Sequence, residues 1–185
     1  MFFKETSDSP PPLYVDLDGT LIATDTLIEC VRVLARRRPW MLILLPFFVL
    51  GGRAAFKERL AGLAQIDAAR LPYRHDVLDY LRREKGRGRM IVLATAAHRS
   101  VADPVASYLK LFDGVIATDG NRNLKGAAKL EAIRRHCGNR DFVYAGDSMA
   151  DLPILRASSA GILVHPSRRL REATAKSCNI EKIFE

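Results

Sequence analysis

Five short apolar runs punctuate the chain: LYVDL (13–17), MIVLAT (90–95), GVIAT (114–118), DFVYAG (141–146) and GILV (161–164). Short, Val/Ile/Leu-rich runs bounded by Gly, Pro or charge predict fully buried strands. Between them, apolar positions recur with helical period. Leu27, Ile28, Val31, Leu34 and Ala35 predict a helix over 24–37, and a second follows over 53–64 after the break at Gly51-Gly52. Val77, Leu78 and Leu81 mark a third over 76–85, stopped by Gly86 and Gly88. Ala102, Val105, Ala106 and Leu109 share one face over 99–111, and further helices are expected over 126–137, 149–157 and 167–176. Buried strands alternating with helices predict an α/β fold with a parallel sheet covered on both faces. The division this predicts is a core of 13–25 and 73–176, an all-helical insert over 26–72, and a loose polar arm over 1–12 that ends in Pro10-Pro11-Pro12.

Composition narrows the class. At 185 residues, 48% hydrophobic and 27% charged, the chain is an ordinary globular domain with an insert. It is not a disordered, collagenous or polytopic membrane sequence. Cys30, Cys137 and Cys178 are odd in number and form no C-x-x-C pair, so they read as reduced thiols with no zinc site. The first residues lack a basic stretch followed by an apolar one, so no secretory signal is expected and a cytoplasmic location is.

The net charge is +8, and +6 of it lies in residues 22–88, which hold 13 Lys/Arg and 7 Asp/Glu. A basic surface suits anionic partners. It also suits a plain solvated exterior; Lys57 and Arg59 are the insert's first cations to test. Nucleic acid is disfavoured as a partner, because no aromatic-rich basic stripe accompanies the charge. The apolar run Trp40–Leu50 spans 11 residues and contains Pro46, well short of the ~20 needed to cross a bilayer. It reads either as a buried helix and turn or as a patch facing a membrane or a partner, since Arg36, Arg37, Arg38 and Arg53 flank it.

In open α/β sheets, ligands sit beyond the carboxyl ends of the strands. Strand one is followed by Asp16-Leu17-Asp18-Gly19-Thr20, strand two ends in Thr95, Lys125 lies between strands three and four, and strand four runs into Gly146-Asp147-Ser148-Met149-Ala150-Asp151. Asp16, Asp18, Asp147 and Asp151 would converge at one sheet edge. Four carboxylates need compensating positive charge, and oxygen ligands with few histidines point to Mg²⁺. A carboxylate beside Mg²⁺ can attack phosphorus to give an aspartyl-phosphate, and a second carboxylate two residues on can protonate the leaving oxygen and later activate water. A hydroxyl and an ammonium at neighbouring strand ends can hold the phosphoryl oxygens. Gly19 and Thr20 permit a tight turn that presents backbone N–H groups to the phosphate. No G-x-x-x-x-G-K-[ST] loop, no G-x-G-x-x-G after a strand and no G-x-S-x-G elbow is present.

DLDGT, Thr95, Lys125 and GDSMAD, in that order, resemble the four motifs of the haloacid dehalogenase superfamily of phosphohydrolases, over about residues 13–165. The resemblance implies a Rossmann-like sheet with a small helical cap after strand one, the C1 arrangement of phosphoserine phosphatase. It implies that Asp16 is the nucleophile and a Mg²⁺ ligand, and that Asp18 is the general acid/base, ligating Mg²⁺ through its backbone carbonyl. Thr95 would hydrogen-bond the phosphoryl group and Lys125 would neutralise it and orient Asp16. Asp147 would ligate Mg²⁺ with support from Asp151, while Gly19, Thr20 and Ala96 would face the substrate. Asp25 stands where phosphoserine phosphatase reads a substrate amino group; a helix cap is the alternative. Asp151 has a similar alternative, a residue favoured by a helix N-terminus. Lys125 competes with Lys129: they lie 22 and 18 residues before Asp147, and the longer gap resembles the C1 phosphatases better. Thr95-Ala96-Ala97 and Ala150 replace the Ser-Gly-Gly and Asn of phosphoserine phosphatases, which counts against phosphoserine as substrate.

TDTLIE, LPYRHDVLDYLR, VLATAA, FDGVIATDGNRNLKGAAKLEAI and DFVYAGDSMADLPIL are also similar to a soluble domain found ahead of membrane prenyltransferases of the 4-hydroxybenzoate polyprenyltransferase type. The ending IEKIFE fits a stand-alone relative or the soluble piece of a longer protein. That context implies a small phosphorylated substrate of isoprenoid type, and a membrane surface or membrane prenyltransferase as partner at the inner face of the membrane. Two rivals remain: a non-catalytic binding module that keeps the motifs as a metal-stabilised scaffold, and a phosphatase of nucleic-acid ends.

Overall fold

A computed structural model describes residues 10–44, 53–119, 123–138 and 140–185, without the side chains of residues 44, 53–55 and 57. Most of the arm 1–12, the second half of the apolar run Trp40–Leu50, the break at Gly51-Gly52 and the side chains of Arg53 and Lys57 therefore lie outside the described residues.

Six parallel strands form one sheet in the order β3-β2-β1-β4-β5-β6. They are β1 (Leu13–Val15), β2 (Ile91–His98), β3 (Gly114–Thr118), β4 (Val143–Gly146), β5 (Ala160–Val164) and β6 (Asn179–Phe184). Burial explains their unbroken apolar runs. In β1, Leu13 and Val15 belong to the core on one face and Tyr14 to the core on the other, and all three are fully buried. A strand covered on both faces has no polar side to alternate with.

The helices follow: α1 (Thr26–Arg37), α2 (Arg53–Ala64), α3 (His75–Gly86), α4 (Arg99–Leu109), α5 (Ala127–Cys137), α6 (Leu152–Ala157) and α7 (Arg168–Ala175). Between β1 and α3 the described residues hold helices and short 3-10 turns. Cys30 and Leu34 of α1 pack there with Leu60, Ala61 and Ala64 of α2 and Val101 of α4. This cluster is separate from both sheet cores, and Val101 fastens it to the core fold.

The sixth strand was not expected. NIEKIF pairs with β5 at the sheet edge, is only half-buried along most of its length, and lacks a continuous apolar run. Arg89 holds it from the neighbouring layer. That guanidinium, 4% exposed, bonds Glu84 at 2.9 Å and Glu181 of β6 at 2.8 and 3.1 Å, and donates to the Pro11 carbonyl at 2.9 Å.

The chain passes from β1 to β2 and β3 on one side, then crosses to β4 on the other. The connections reverse direction at β1, so a crevice opens at the carboxyl ends of β1 and β4.

Candidate active site

Asp16 is the first residue past β1, and its N–H donates to the Ala145 carbonyl of β4 at 3.0 Å, which locks it to the sheet edge. Its side chain is 11% exposed. Asp147 follows β4 directly. Asp151 caps the short 3-10 turn beyond it, with Ser148 N–H and Oγ donating to Asp151 Oδ2 at 3.3 and 2.9 Å. One carboxylate oxygen from each of Asp16, Asp147 and Asp151 lies within 4.8 Å of the others.

Lys129 of α5 reaches into this group. Its ammonium is 3.0 Å from Asp16 Oδ1 and 3.3 Å from Asp151 Oδ1, and donates to the Tyr144 hydroxyl at 2.9 Å. Tyr144 in turn donates to Asp151 Oδ1 at 2.8 Å. Burial pushes the Asp16 carboxyl up to about 7; the Lys129 ammonium opposes the rise, and the Asp151 and Asp18 carboxylates add to it. Burial raises Asp147 too, with Asp151 contributing. Burial alone would lower Lys129, but Asp16 and Asp151 more than offset it, so the ammonium stays charged. Lys129 thus pairs with two of the three clustered carboxylates, leaving Asp147 without an ion pair among the described residues.

The loop after β1 is shaped around Asp147. Gly19 sits at φ +75°, and a Cβ there would lie 2.2 Å from Asp147 Oδ2. Thr20, fully buried, donates its hydroxyl to Asp147 Oδ1 at 3.1 Å. Arg74 Nε donates to the Gly19 carbonyl at 3.1 Å and fastens the loop to the segment before α3. Asp18 is held from the side of α1: its carboxylate accepts from Thr26 N–H at 2.7 Å and Thr26 Oγ1 at 3.3 Å, in the first turn of that helix. The resulting cleft has a volume of about 350 Å³, and its walls include Asp16, Asp18, Gly19, Ala96, Lys125 and Asp147.

The structure places the remaining expected residues as follows. Lys125 lines the cleft but is exposed, and among the described residues it makes no ion pair. Lys129, one helical turn further on, is the lysine that touches Asp16. The side chain at Gly126+3 points inward from α5, whereas residue 125 precedes the helix. Thr95 is fully buried, and its Oγ1 accepts from Ala97 N–H at 2.9 Å; Ala96 is the residue of that stretch on the cleft wall. Thr20 anchors Asp147, and the Gly19 N–H donates to the Thr24 carbonyl at 3.0 Å. Asp25 lines the cleft mouth while acting as the N-cap of α1, accepting from Leu27 N–H at 2.7 Å. His98 caps α4.

Sequence reasoning missed Thr26, Tyr144 and Arg74, whose roles depend on partners remote in sequence or on backbone atoms. For Lys129 a signal existed: in AAKLEAI it falls on the apolar face of its helix, with Ile133 and Cys137 at the next four-residue steps.

The fold has counterparts. A family model for haloacid dehalogenase-like hydrolases matches residues 13–156. The uncharacterized protein y4nM of Sinorhizobium fredii is 41% identical over 170 residues, covering 90% of this chain and 33% of the relative. The chain thus spans about a third of that relative's length. A protein of unknown function from Bordetella pertussis Tohama I superposes with a TM-score of 0.69 at 21% identity, covering 96% of this chain and 99% of that one. A phosphoserine phosphatase, solved as a phospho-aspartyl intermediate analogue, superposes with a TM-score of 0.64 at 18% identity, covering 96% and 94%. At these identities the two structures speak to the fold alone. The matched span contains both acidic loops, their shared lysine and strands β1 to β4, and on that match the chain belongs to the haloacid dehalogenase-like hydrolase family.

Proposed function

We propose that this chain hydrolyses phosphomonoesters, with Mg²⁺ as cofactor and the Asp16 carboxylate as nucleophile. The observation that supports this most is the setting of Asp16. It is nearly buried at the switch point, 3.0 Å from an ammonium that also contacts Asp151, and one of its oxygens lies within 4.8 Å of oxygens of Asp147 and Asp151.

The donor set fits Mg²⁺. It is all oxygen, and burial and neighbouring carboxylates raise Asp16 and Asp147, the condition a divalent cation relieves. Asp16, Asp147 and the Asp18 backbone carbonyl would hold the ion. Asp151, whose oxygens already accept from Lys129, Tyr144 and Ser148, would support it from behind. Bound there, the ion would offset phosphoryl charge and polarise the phosphorus–oxygen bonds.

Asp16 attacks phosphorus, the ester P–O bond breaks, and the leaving oxygen takes a proton from Asp18. The Asp18 carboxylate then takes a proton from water, whose oxygen attacks the aspartyl-phosphate and releases phosphate from Asp16. Thr26 positions Asp18 for both transfers and ties it to α1, the first helix of the insert we read as a cap. Lys129 neutralises Asp16 and the phosphoryl oxygens, and Lys125 at the cleft wall meets the substrate.

A cleft of about 350 Å³ suits a small monoester. Ala96 and Ala150 on its wall, where phosphoserine phosphatases carry Gly and Asn, argue against phosphoserine. The similarity to domains preceding membrane prenyltransferases puts isoprenoid monophosphates first in a substrate screen. The test is turnover of aryl, isoprenoid, sugar and nucleotide monophosphates, with Mg²⁺ or with chelator, by the wild type and Asp16→Asn. The reading expects Mg²⁺-dependent release of phosphate and its loss in the variant. No turnover across the panel by folded protein would favour the binding-module reading.

A further inference from the structure

We propose that the insert carries a docking surface for anionic phospholipid membranes, made by Trp40 and Ile43 with Arg36, Arg37 and Arg38. This surface lies outside the cleft and does not depend on the chemistry proposed there.

Pro39–Leu44 is a 3-10 helix. With three residues per turn, Trp40 and Ile43 fall on one side of it. Met41 and Leu42 turn inward onto the cluster that contains Cys30 and Leu34. Trp40 is left 65% exposed and Ile43 73%, the two most exposed large apolar side chains among the described residues. Three arginines immediately precede them. Arg36 and Arg37 end α1 and Arg38 follows; all are exposed, and none makes an ion pair among the described residues. The helix dipole accounts for basic residues in a last turn, but not for an exposed Trp and Ile beside them.

A second feature points to a phosphodiester. A recess of about 100 Å³ between α1 and α2 is lined by Arg37, Arg38 and Gln65 with Val33 and Leu63. Two arginines and a glutamine beside apolar residues match the charge of a lipid headgroup and the start of its acyl chains. An acidic protein partner fits less well, because two adjacent apolar side chains are far short of the roughly 800 Å² per side of a stable protein interface. They suffice to enter the headgroup boundary, where Trp is enriched and basic residues gain from anionic lipid.

Trp40 is the chain's single tryptophan, so its fluorescence reads this surface alone. The full chain would be mixed at low salt with phosphatidylcholine vesicles, with or without phosphatidylglycerol, and followed by emission, quenching by brominated lipid, and co-sedimentation. We expect a blue shift and quenching only with the anionic vesicles. Each Arg→Gln change at 36, 37 and 38 should weaken binding about fivefold, and the triple variant about a hundredfold. Trp40→Ser with Ile43→Ser should weaken co-sedimentation while leaving circular dichroism and cleft chemistry unchanged. Absence of binding to anionic vesicles overturns the proposal. So does sedimentation with no change in Trp40 emission, which would place the contact elsewhere on a basic protein. A shift produced by an acidic protein but not by vesicles overturns it as well.

Discussion

Replacing Lys129 by Met separates the two candidate lysines. Met matches the lysine stem in length and keeps the apolar packing of α5, so the change removes mainly charge. The wild-type ammonium is 3% exposed and contacts Asp16, Asp151 and Tyr144. Removing one partner of a buried ion pair costs about 3–5 kcal/mol, because the surviving charge is left unpaired. In a domain of this size each kcal/mol moves Tm by about 2–4 °C, so metal-free Lys129→Met should melt about 6–20 °C lower. The loss should be larger at pH 8 than at pH 5, since protonation of Asp16, already raised to about 7, relieves the abandoned charge. Turnover with Mg²⁺ should fall on the order of 10²–10³-fold, the usual effect of deleting one electrostatic donor. Lys125→Met is exposed and unpaired among the described residues, so its stability should stay within about 0.5 kcal/mol. Thermal melts by circular dichroism and steady-state rates on both variants decide the matter. If Lys129→Met melts with the wild type while Lys125→Met loses stability and turnover together, the assignment of Lys129 is wrong.

Three other expectations follow from the same geometry. Because Mg²⁺ must displace the proton of a carboxyl raised to about 7, the Mg²⁺-induced rise in Tm should be small at pH 5.5 and grow as pH passes through that value; a rise independent of pH would contradict the site. Gly19→Ala forces a Cβ to within 2.2 Å of Asp147 Oδ2 at a positive φ, so the variant should fold less stably and lose most of the Mg²⁺-induced shift in a thermal melt. Hydrogen bonding to Arg89 holds the Glu181 carboxyl below its usual range. A depressed acid stabilises the fold above its unfolded value of about 4.3 and loses that contribution as pH falls through the folded one. Acid unfolding of the wild type should therefore include a component that Glu181→Gln lacks, read from Tm between pH 6 and pH 3.

What the sequence exposed and what it hid follow from the range of the forces involved. Asp16 and Asp147 were legible because each follows a buried apolar strand directly, with Asp151 one turn beyond Asp147, and the sheet brings strand ends together without further information. The choice between Lys125 and Lys129 was not, because motif spacing does not record which lysine lies on the buried face of α5. The roles of Thr20 and Thr26 depend on a loop that folds back through backbone bonds, such as Gly19 N–H to Thr24. Strand β6 was hidden because NIEKIF carries no continuous apolar run, and its partners, β5 and Arg89 92 residues from Glu181, are not marked in its own pattern. In Trp40–Leu50, periodicity could not distinguish a buried turn from a surface patch. Among its described residues Met41 and Leu42 face in while Trp40 and Ile43 face out.

The central claim is that the Asp16 carboxylate becomes covalently phosphorylated. The most direct measurement is rapid acid quench of the Mg²⁺-loaded protein during turnover, followed by proteolysis and mass spectrometry of the peptide that carries Asp16. The account predicts one added phosphoryl group on that peptide, formed no more slowly than product and missing from Asp16→Asn. Sustained phosphate release with no such adduct, or an adduct that persists in Asp16→Asn, would contradict it.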